Sequence, residues 1–143
     1  MDAEFWDVRY RSRDKLFSGE PNTVLLVQAS GLPVGQALDV GCGEGADALW
    51  LARRGWQVTA VDVALTALQR AAVSATDISG RIAWVRADLT STPPPEDSFD
   101  LVSAQYFPLR RQPPCRTSRP AFRCCSRRHL PVCRPRLPRL VPR

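Results

Sequence analysis

No stretch of this sequence approaches the roughly 20 consecutive apolar residues that a transmembrane helix needs. The first ten residues are acidic and aromatic, whereas a secretory signal peptide begins with basic residues followed by an apolar run. The five cysteines are odd in number and four of them lie after residue 108, which argues against a disulfide framework of the secreted type. We therefore expect a cytoplasmic protein with reduced cysteines and without a membrane partner.

Acidic residues and glycines are absent from the last part of the chain, residues 108–143. This segment contains 11 Arg and 8 Pro, whereas residues 1–107 contain 9 basic and 14 acidic residues. The two parts carry net charges of +11 and −5, and only the first has the composition of a globular domain. We predict one domain over residues 1–107, followed by an irregular, disordered tail rich in Arg, Pro and Cys.

The abrupt change of composition after Phe107 is what a coding sequence read out of frame would produce. We therefore expect the domain to be truncated or frameshifted at about this residue. Zinc binding by Cys125, His129 and Cys133 is disfavoured, because Pro131 interrupts a shared helix and the tail has no C-x-x-C pair. The arginines could bind nucleic acid through its phosphates, but no recognisable binding module accompanies them, so no specific nucleic-acid partner is expected.

Strands and helices alternate within the first part of the chain. The predicted strands end near residues 40, 62, 86 and 104, and the helices between the first three of them cover 46–54 and about 65–75. N-terminal helices precede them, one carrying Trp6 and Tyr10 on the same face and one running from Pro21 to Gly31. This order predicts an α/β fold with a partial Rossmann-like, doubly wound parallel sheet of about four strands.

A glycine turn, GCGEG at 41–45, follows the first predicted strand directly. Side chains at Gly41 or Gly43 would occupy the space that a ligand needs, and positive φ angles are expected there. The following helix start adds N–H donors. Asp39 precedes the turn. Asp62 ends the second strand about 20 residues after the turn, and a carboxylate at this position in the sequence can accept both hydroxyls of a ribose.

A third acidic residue, Asp88, ends the third predicted strand. Because parallel strands end at one edge of a sheet, the three carboxylates and the glycine turn are expected to lie together. The segment DVGCGEG at 39–45 resembles the first motif of class I S-adenosylmethionine-dependent methyltransferases. In the same way Asp62 resembles their ribose-binding acid, and Ala87-Asp88-Leu89 resembles their adenine-edge motif.

The resemblance implies S-adenosylmethionine as the cofactor. It implies that the glycine backbone contacts the methionine and ribose side of the cofactor. Asp39 would orient the turn or the ligand's amino group, and Asp88 with Leu89 would contact adenine. The implied cofactor-binding residues are Asp39, Gly41, Cys42, Gly43, Gly45, Asp62, Val63, Asp88, Leu89 and Ala104. The resemblance assigns no catalytic residue, since the sulfonium carries its own leaving group, and it places Gln105 and Tyr106 near the transferring methyl.

The N-terminal segment, Trp6-Asp7-x-Arg9-Tyr10 followed by SGEPN at 18–22, resembles small-molecule methyltransferases of the tellurite-resistance and thiopurine type. In that subgroup a leading helix covers the cofactor, and a small-molecule methyl acceptor is implied. The family sheet has seven strands in the order 3-2-1-4-5-7-6, whereas this chain is predicted to supply four. We therefore expect an open edge at the fourth strand and weak or absent activity.

Two other functions remain open. The form G-x-G-x-x-A at 41–46, followed by an acid about 20 residues on, also fits an NAD(P)- or FAD-binding oxidoreductase, although Asp39 and Asp88 have no role in that site. A non-enzymatic protein that binds nucleic acid through its basic tail is the second alternative.

Overall fold

Four parallel strands form the centre of the domain. The computed structural model describes residues 2–92, 94–95 and 98–105, together with the backbone of a two-residue strand at 132–133. The elements are α1 (Ala3–Arg11), α2 (Thr23–Ala29), β1 (Gln36–Val40), α3 (Ala46–Arg53), β2 (Gln57–Asp62), α4 (Leu65–Ser74), a 3-10 turn (Ser79–Arg81), β3 (Ile82–Arg86), β4 (Leu101–Ser103) and β5 (Val132–Cys133).

The strand order of the sheet is β3-β2-β1-β4-β5. Strand β1 pairs in parallel with β2 on one side and with β4 on the other, and β2 pairs in parallel with β3. The order of the first four strands is therefore 3-2-1-4. The predicted fold class, a partial Rossmann-like parallel sheet with N-terminal helices, is confirmed.

One prediction about the sheet is wrong: the far side of β4 is not fully open. Val102 and Ser103 pair with the two residues of β5 in antiparallel orientation, so backbone groups of the tail satisfy part of that edge. Composition could not reveal this pairing, because it is made by the backbone. The rest of the tail, including Cys125 and His129, lies outside the described residues, as does Tyr106.

Apolar side chains cover both faces of the sheet, as a parallel sheet with crossover helices requires. The larger cluster joins α2 and α3 to the strands and includes Leu25, Leu51, Trp56 and Leu101. The smaller cluster lies on the opposite face and contains Leu38, Val40, Val61 and Leu89. Alternate residues of β1 thus point into different clusters, which leaves Asp39 on the same side as Ala37 and the larger cluster.

Helix α1 packs against α4 rather than against the sheet. Trp6 and Tyr10 lie on one face of α1, as predicted, and Tyr10 is buried with Ala64 and Ala67. Side chains cap both N-terminal helices: Asp2 accepts the N–H of Phe5, and Asn22 accepts the N–H of Val24. No helix in the described part of the chain is long and apolar enough to cross a membrane.

Candidate cofactor site

The glycine turn lies between the ends of β1 and β2. Gly41 and Gly43 have φ values of 66° and 56°, which confirms the predicted left-handed backbone. The N–H groups of Gly41 and Cys42 both donate to the carbonyl oxygen of Val61, at 2.8 and 3.0 Å. The turn is therefore fixed to the last residues of β2.

A side chain at Gly43 or at Gly45 would collide with neighbouring residues, which differ between the two positions. A Cβ atom at Gly43 would lie 2.8 Å from the Tyr10 hydroxyl oxygen, so α1 fills the space in front of this glycine. A Cβ at Gly45 would lie 2.8 Å from the Trp84 ring and 2.9 Å from the Ala71 methyl. Gly45, predicted to bind the cofactor, thus lets the start of α3 pack against β3 and α4.

Asp62 at the end of β2 holds the turn together. One of its oxygens, Oδ2, accepts the N–H of Gly43 at 2.8 Å, and Oδ1 accepts the N–H of Ala64 at 2.9 Å. Burial raises the pKa of the Asp62 carboxyl, and these N–H groups counteract that rise. Each oxygen retains a second lone pair, so the carboxylate can still accept hydroxyl donors from a ligand.

A small hollow opens beside Asp62 at the carboxyl ends of β1, β2 and β3. Its lining residues are Val40, Gly41, Val61, Asp62, Val63, Ala87 and Leu89. The structure therefore brings together four of the predicted binding residues, namely Gly41, Asp62, Val63 and Leu89. Ala104 lies nearby, packed on the same apolar cluster as Leu89.

Asp39 lies behind the turn and is almost fully buried, with 1% exposure. The backbone N–H of Ala48 in α3 favours the charged form of this carboxylate, but Oδ2 has no hydrogen-bond partner among the described residues. Burial raises its pKa well above the ordinary value, and the charges of Asp47 and Asp62 add to that rise. Asp39 thus lies near the first turn of α3 and keeps one acceptor oxygen for which residues 2–92, 94–95 and 98–105 supply no donor.

Cys42 is buried between these carboxylates. Burial, with Asp39 and Asp62 nearby, raises the pKa of its thiol well above the ordinary value. A thiol under these conditions stays protonated and is a poor nucleophile. Its small side chain suits the tight turn, and it contributes no chemistry of its own.

Asp88 faces its own loop in this structure. Its Oδ1 accepts both the backbone N–H and the hydroxyl of Thr90, at 2.9 and 2.6 Å. The Thr90 hydroxyl, with that N–H, helps to lower the pKa of Asp88 to about 2. The predicted contact with adenine stays a prediction, as does the position of Gln105 near the methyl; the Gln105 amide donates to the Ser103 hydroxyl at 3.4 Å.

Two residues at the site are not among the predicted binding residues, although the resemblance places one of them, Tyr10, on the leading helix that covers the cofactor. Glu44 accepts the N–H groups of Leu16 and Phe17 at 3.3 and 3.5 Å and pairs with Arg70 at 3.0 Å. It therefore joins the loop after α1 to the glycine turn. Tyr10 is buried against the turn, and burial together with Asp62 and Glu44 raises its pKa, so its phenol stays a hydrogen-bond donor.

The residues at the turn fit S-adenosylmethionine. The bare glycine backbone permits close approach, the Asp62 carboxylate can accept ribose hydroxyls, and the hollow offers apolar surface from Val63 and Leu89. The unpartnered Asp39 oxygen requires a donor from outside the described residues, and a ligand ammonium group would supply one. Fold and site together define an α/β domain for a nucleotide-type cofactor.

Comparison with known proteins makes this class specific. The family model for a methyltransferase domain matches residues 37–128, which is more than half of the chain. The chain therefore belongs to the methyltransferase domain family, and S-adenosylmethionine is the cofactor that this membership implies. The match extends past the change of composition after Phe107.

Several relatives share substantial identity with this chain. A release factor glutamine methyltransferase of Shewanella oneidensis is 33% identical over 108 residues, which are 71% of this chain and 37% of that protein. An uncharacterized methyltransferase of Mycobacterium bovis is 43% identical over 65 residues, which are 46% of this chain and 32% of that protein.

This chain is also similar in fold and sequence to a protein of known structure. A chain from work on the conversion of a disulfide bond into a thioacetal group during echinomycin biosynthesis is 33% identical, with a TM-score of 0.62. The alignment covers 73% of this chain and 46% of that one. The present chain thus spans less than half the length of each of these three relatives.

The buried carboxyl of Asp39 gives a pH-dependent prediction. Because its pKa is higher in the folded than in the unfolded protein, where it is about 3.9, Asp39 contributes less to stability as pH rises above that value. Asp39→Asn should therefore raise the free energy of unfolding by about 1–3 kcal/mol at pH 7 and by little near pH 3. Urea denaturation at several pH values measures the difference, and a difference that does not change with pH would contradict the assignment.

Proposed function

We propose that this chain binds S-adenosylmethionine at the carboxyl ends of β1, β2 and β3, and that the protein it represents transfers a methyl group to a small-molecule acceptor. The observation that carries the proposal is the arrangement of Asp62. Its two oxygens are held by backbone N–H groups of the glycine turn and of Ala64, beside a hollow between strand ends. A carboxylate fixed in this way is oriented before the ligand arrives.

Each part of the site has a separate binding task. Gly41, which lines the hollow, lets the backbone approach the ligand, and Asp62 accepts its ribose hydroxyls. Val63 and Leu89 supply apolar surface on the adenine side. Asp39 attracts the ammonium group, since its buried oxygen has no donor within the part of the chain that the structure describes.

The chemistry places few demands on the chain. When bound, the cofactor supplies a methyl group on a sulfonium that carries its own leaving group. The protein must then exclude water and hold the acceptor in line, and orientation of this kind can account for a large part of the rate. We assign no catalytic residue. Cys42 is unsuited as a nucleophile because it is buried and its thiol pKa is raised.

A small-molecule acceptor is supported by the position of α1. This helix packs against α4, and its Tyr10 hydroxyl lies against Gly43 of the glycine turn. The loop after the helix is bound to the same turn, because Glu44 accepts the N–H of Leu16. Such a cover narrows the access of a large acceptor. The names of relatives point both ways, since one refers to echinomycin biosynthesis and another to glutamine methylation of a release factor.

Calorimetric titration tests the cofactor part of the proposal. We expect S-adenosylhomocysteine to bind the full chain at least about tenfold more tightly than NAD, a difference of about 1.4 kcal/mol. The ligands share adenosine, so the comparison reports on the remaining half of the site. Folded protein that gives no heat with S-adenosylhomocysteine, or that prefers NAD, would overturn the proposal.

The acceptor class needs a separate assay. After the cofactor itself has been removed by chromatography, we expect label from methyl-labelled S-adenosylmethionine in a dialysable product of a cell extract incubated with the protein, at the low level that the incomplete domain allows. Extract without the protein is the control. Label that appears only in the retained, macromolecular fraction would replace the small-molecule acceptor with a protein or nucleic acid.

A further inference from the structure

Three segments that border the candidate site meet at Asp7 in α1. Its Oδ1 accepts the N–H of Thr66 in the first turn of α4, at 2.8 Å. Its Oδ2 lies 3.8 Å from Nη2 of Arg86, the last residue of β3. Arg86 in turn donates from Nε to the carbonyl oxygen of Val63, at 3.2 Å. One carboxylate thus links α1 to the chain after β2 and to the end of β3.

The Asp7 contacts are partly shielded from water. The Asp7 side chain is 14% exposed, whereas that of Arg86 is 52% exposed. An isolated ion pair with such an exposed arginine contributes little. The N–H groups at the start of α4 favour a carboxylate at this position, so the contact with Thr66 is the stronger of the two.

Tyr10 follows Asp7 by one helical turn and lies on the same side of α1. Its ring packs against Ala64 and Ala67, and its hydroxyl oxygen occupies the position 2.8 Å from where a Cβ of Gly43 would be. A helix that is fixed to α4 at Asp7 therefore holds the tyrosine against the glycine turn. Without that contact α1 could rotate or slide on its apolar face.

We propose that Asp7 is a positioning residue of the cofactor site: by fixing α1 to the first turn of α4, it holds the Tyr10 hydroxyl against Gly43. This inference rests on the proposed function, because it assigns the Asp7–Thr66 contact to the cofactor site rather than to stability alone. Asp7 itself touches neither Gly43 nor the hollow in the described structure.

The test compares two aspartates of the same helix in the full chain. Asp7→Ala should weaken S-adenosylhomocysteine binding about tenfold, because α1 would hold its binding-competent position in only about a tenth of the molecules once this charge-assisted hydrogen bond is lost. Asp2→Ala removes the N-cap of α1, which destabilises the helix, but should change the affinity less than about twofold. Asp7→Asn keeps an acceptor for Thr66 and should fall between Asp7→Ala and the unmodified chain. Equal losses of affinity in the two alanine variants would reduce Asp7 to a structural role and overturn the proposal.

A double-mutant cycle shows whether Asp7 acts through the tyrosine. Tyr10→Phe keeps the buried ring and removes only the hydroxyl, so this variant should fold. In that background Asp7→Ala should weaken binding by less than about twofold, since the two changes act on one interaction. If Asp7→Ala still weakens binding tenfold in the Tyr10→Phe protein, Asp7 does not act through that hydroxyl.

A measurement without ligand separates this proposal from the proposed function. Nitration of Tyr10 by tetranitromethane, located by peptide mass spectrometry, should be slow in the unmodified chain and in Asp2→Ala. It should be several-fold faster in Asp7→Ala. Unchanged nitration in Asp7→Ala overturns the positioning role even if S-adenosylhomocysteine binds. Folded chain that shows the nitration pattern without ligand binding instead overturns the proposed function and the assignment of Asp7 to a cofactor site.

Discussion

Replacing Gly45 with alanine is expected to destabilise the domain by about 3 kcal/mol, from backbone strain and overpacking together. Gly45 has a φ of 86°, a conformation that residues with a Cβ rarely adopt. The added methyl would lie 2.8 Å from the Trp84 ring and 2.9 Å from the Ala71 side chain. Neither neighbour can withdraw easily, because Trp84 packs on the core and Ala71 lies within α4.

Urea denaturation followed by circular dichroism measures this loss, and Gly80→Ala is the matched control. A Cβ at Gly80 would have no atom of the described residues within 4 Å, and Gly80 lies in the 3-10 turn before β3. Its replacement should change the free energy of unfolding by less than about 0.5 kcal/mol. Similar losses in the two variants would show that crowding at Gly45 is not what makes glycine necessary there.

The second large effect is expected at Asp62. Asp62→Ala should weaken S-adenosylhomocysteine binding about 100-fold, or about 2.7 kcal/mol. The change removes the acceptor of the ribose hydroxyls and also frees the N–H groups of Gly43 and Ala64, which now hold the turn. The two charge-assisted hydrogen bonds from the ribose hydroxyls, at about 1.5–3 kcal/mol each, are sufficient for a loss of affinity of this size.

Asp77→Ala is the matched control for Asp62. Asp77 is an aspartate outside the site: its Oδ2 lies 3.6 Å from Nε of Arg53, and its side chain is 59% exposed. An exposed pair of this kind contributes about 0–1 kcal/mol, so its loss should leave the affinity unchanged. Calorimetric titration of both variants gives the comparison, and an Asp62→Ala protein that binds within about twofold of the unmodified chain would remove Asp62 from the site.

The Asp39 and Asp62 carboxylates lower the stability of the folded domain and are proposed to bind the cofactor. Burial raises the pKa of both groups, which means that their charged forms are less favourable in the folded chain than in water. Backbone N–H groups offset part of that cost at Asp62, whereas one oxygen of Asp39 has no donor among the residues that the structure describes. The two replacements are therefore expected to act on different quantities. Asp39→Asn should raise the free energy of unfolding at neutral pH, whereas Asp62→Ala should lower the affinity for the cofactor.

The local sequence was sufficient for the elements of the sheet. Each α-helix and strand of residues 36–86 is encoded by periodic apolar residues and by glycine, and the predicted ends agree with the observed ones to within about one residue. The same local pattern placed Gly41 in the turn and Asp62 at the end of β2. These predictions succeeded because strand, turn and helix are contiguous in the chain and each depends on residues close in sequence.

The contacts that complete the site are not local. Glu44 binds the N–H of Leu16 across 28 residues, and Asp7 binds that of Thr66 across 59 residues. The pairing of β4 with β5 likewise joins two distant segments. No periodicity or motif encodes such pairs, because they arise only when separate elements pack in one orientation.

The sequence by itself determined the parallel sheet, the glycine turn and the acidic residues at the strand ends. Tertiary structure alone decided that Gly45 serves packing, that Tyr10 lies on Gly43, and that Asp39 is buried with one oxygen unpaired in the described part of the chain. The physical reason is range: backbone conformation follows from neighbouring residues, whereas burial and crowding depend on which distant side chains the fold brings into contact.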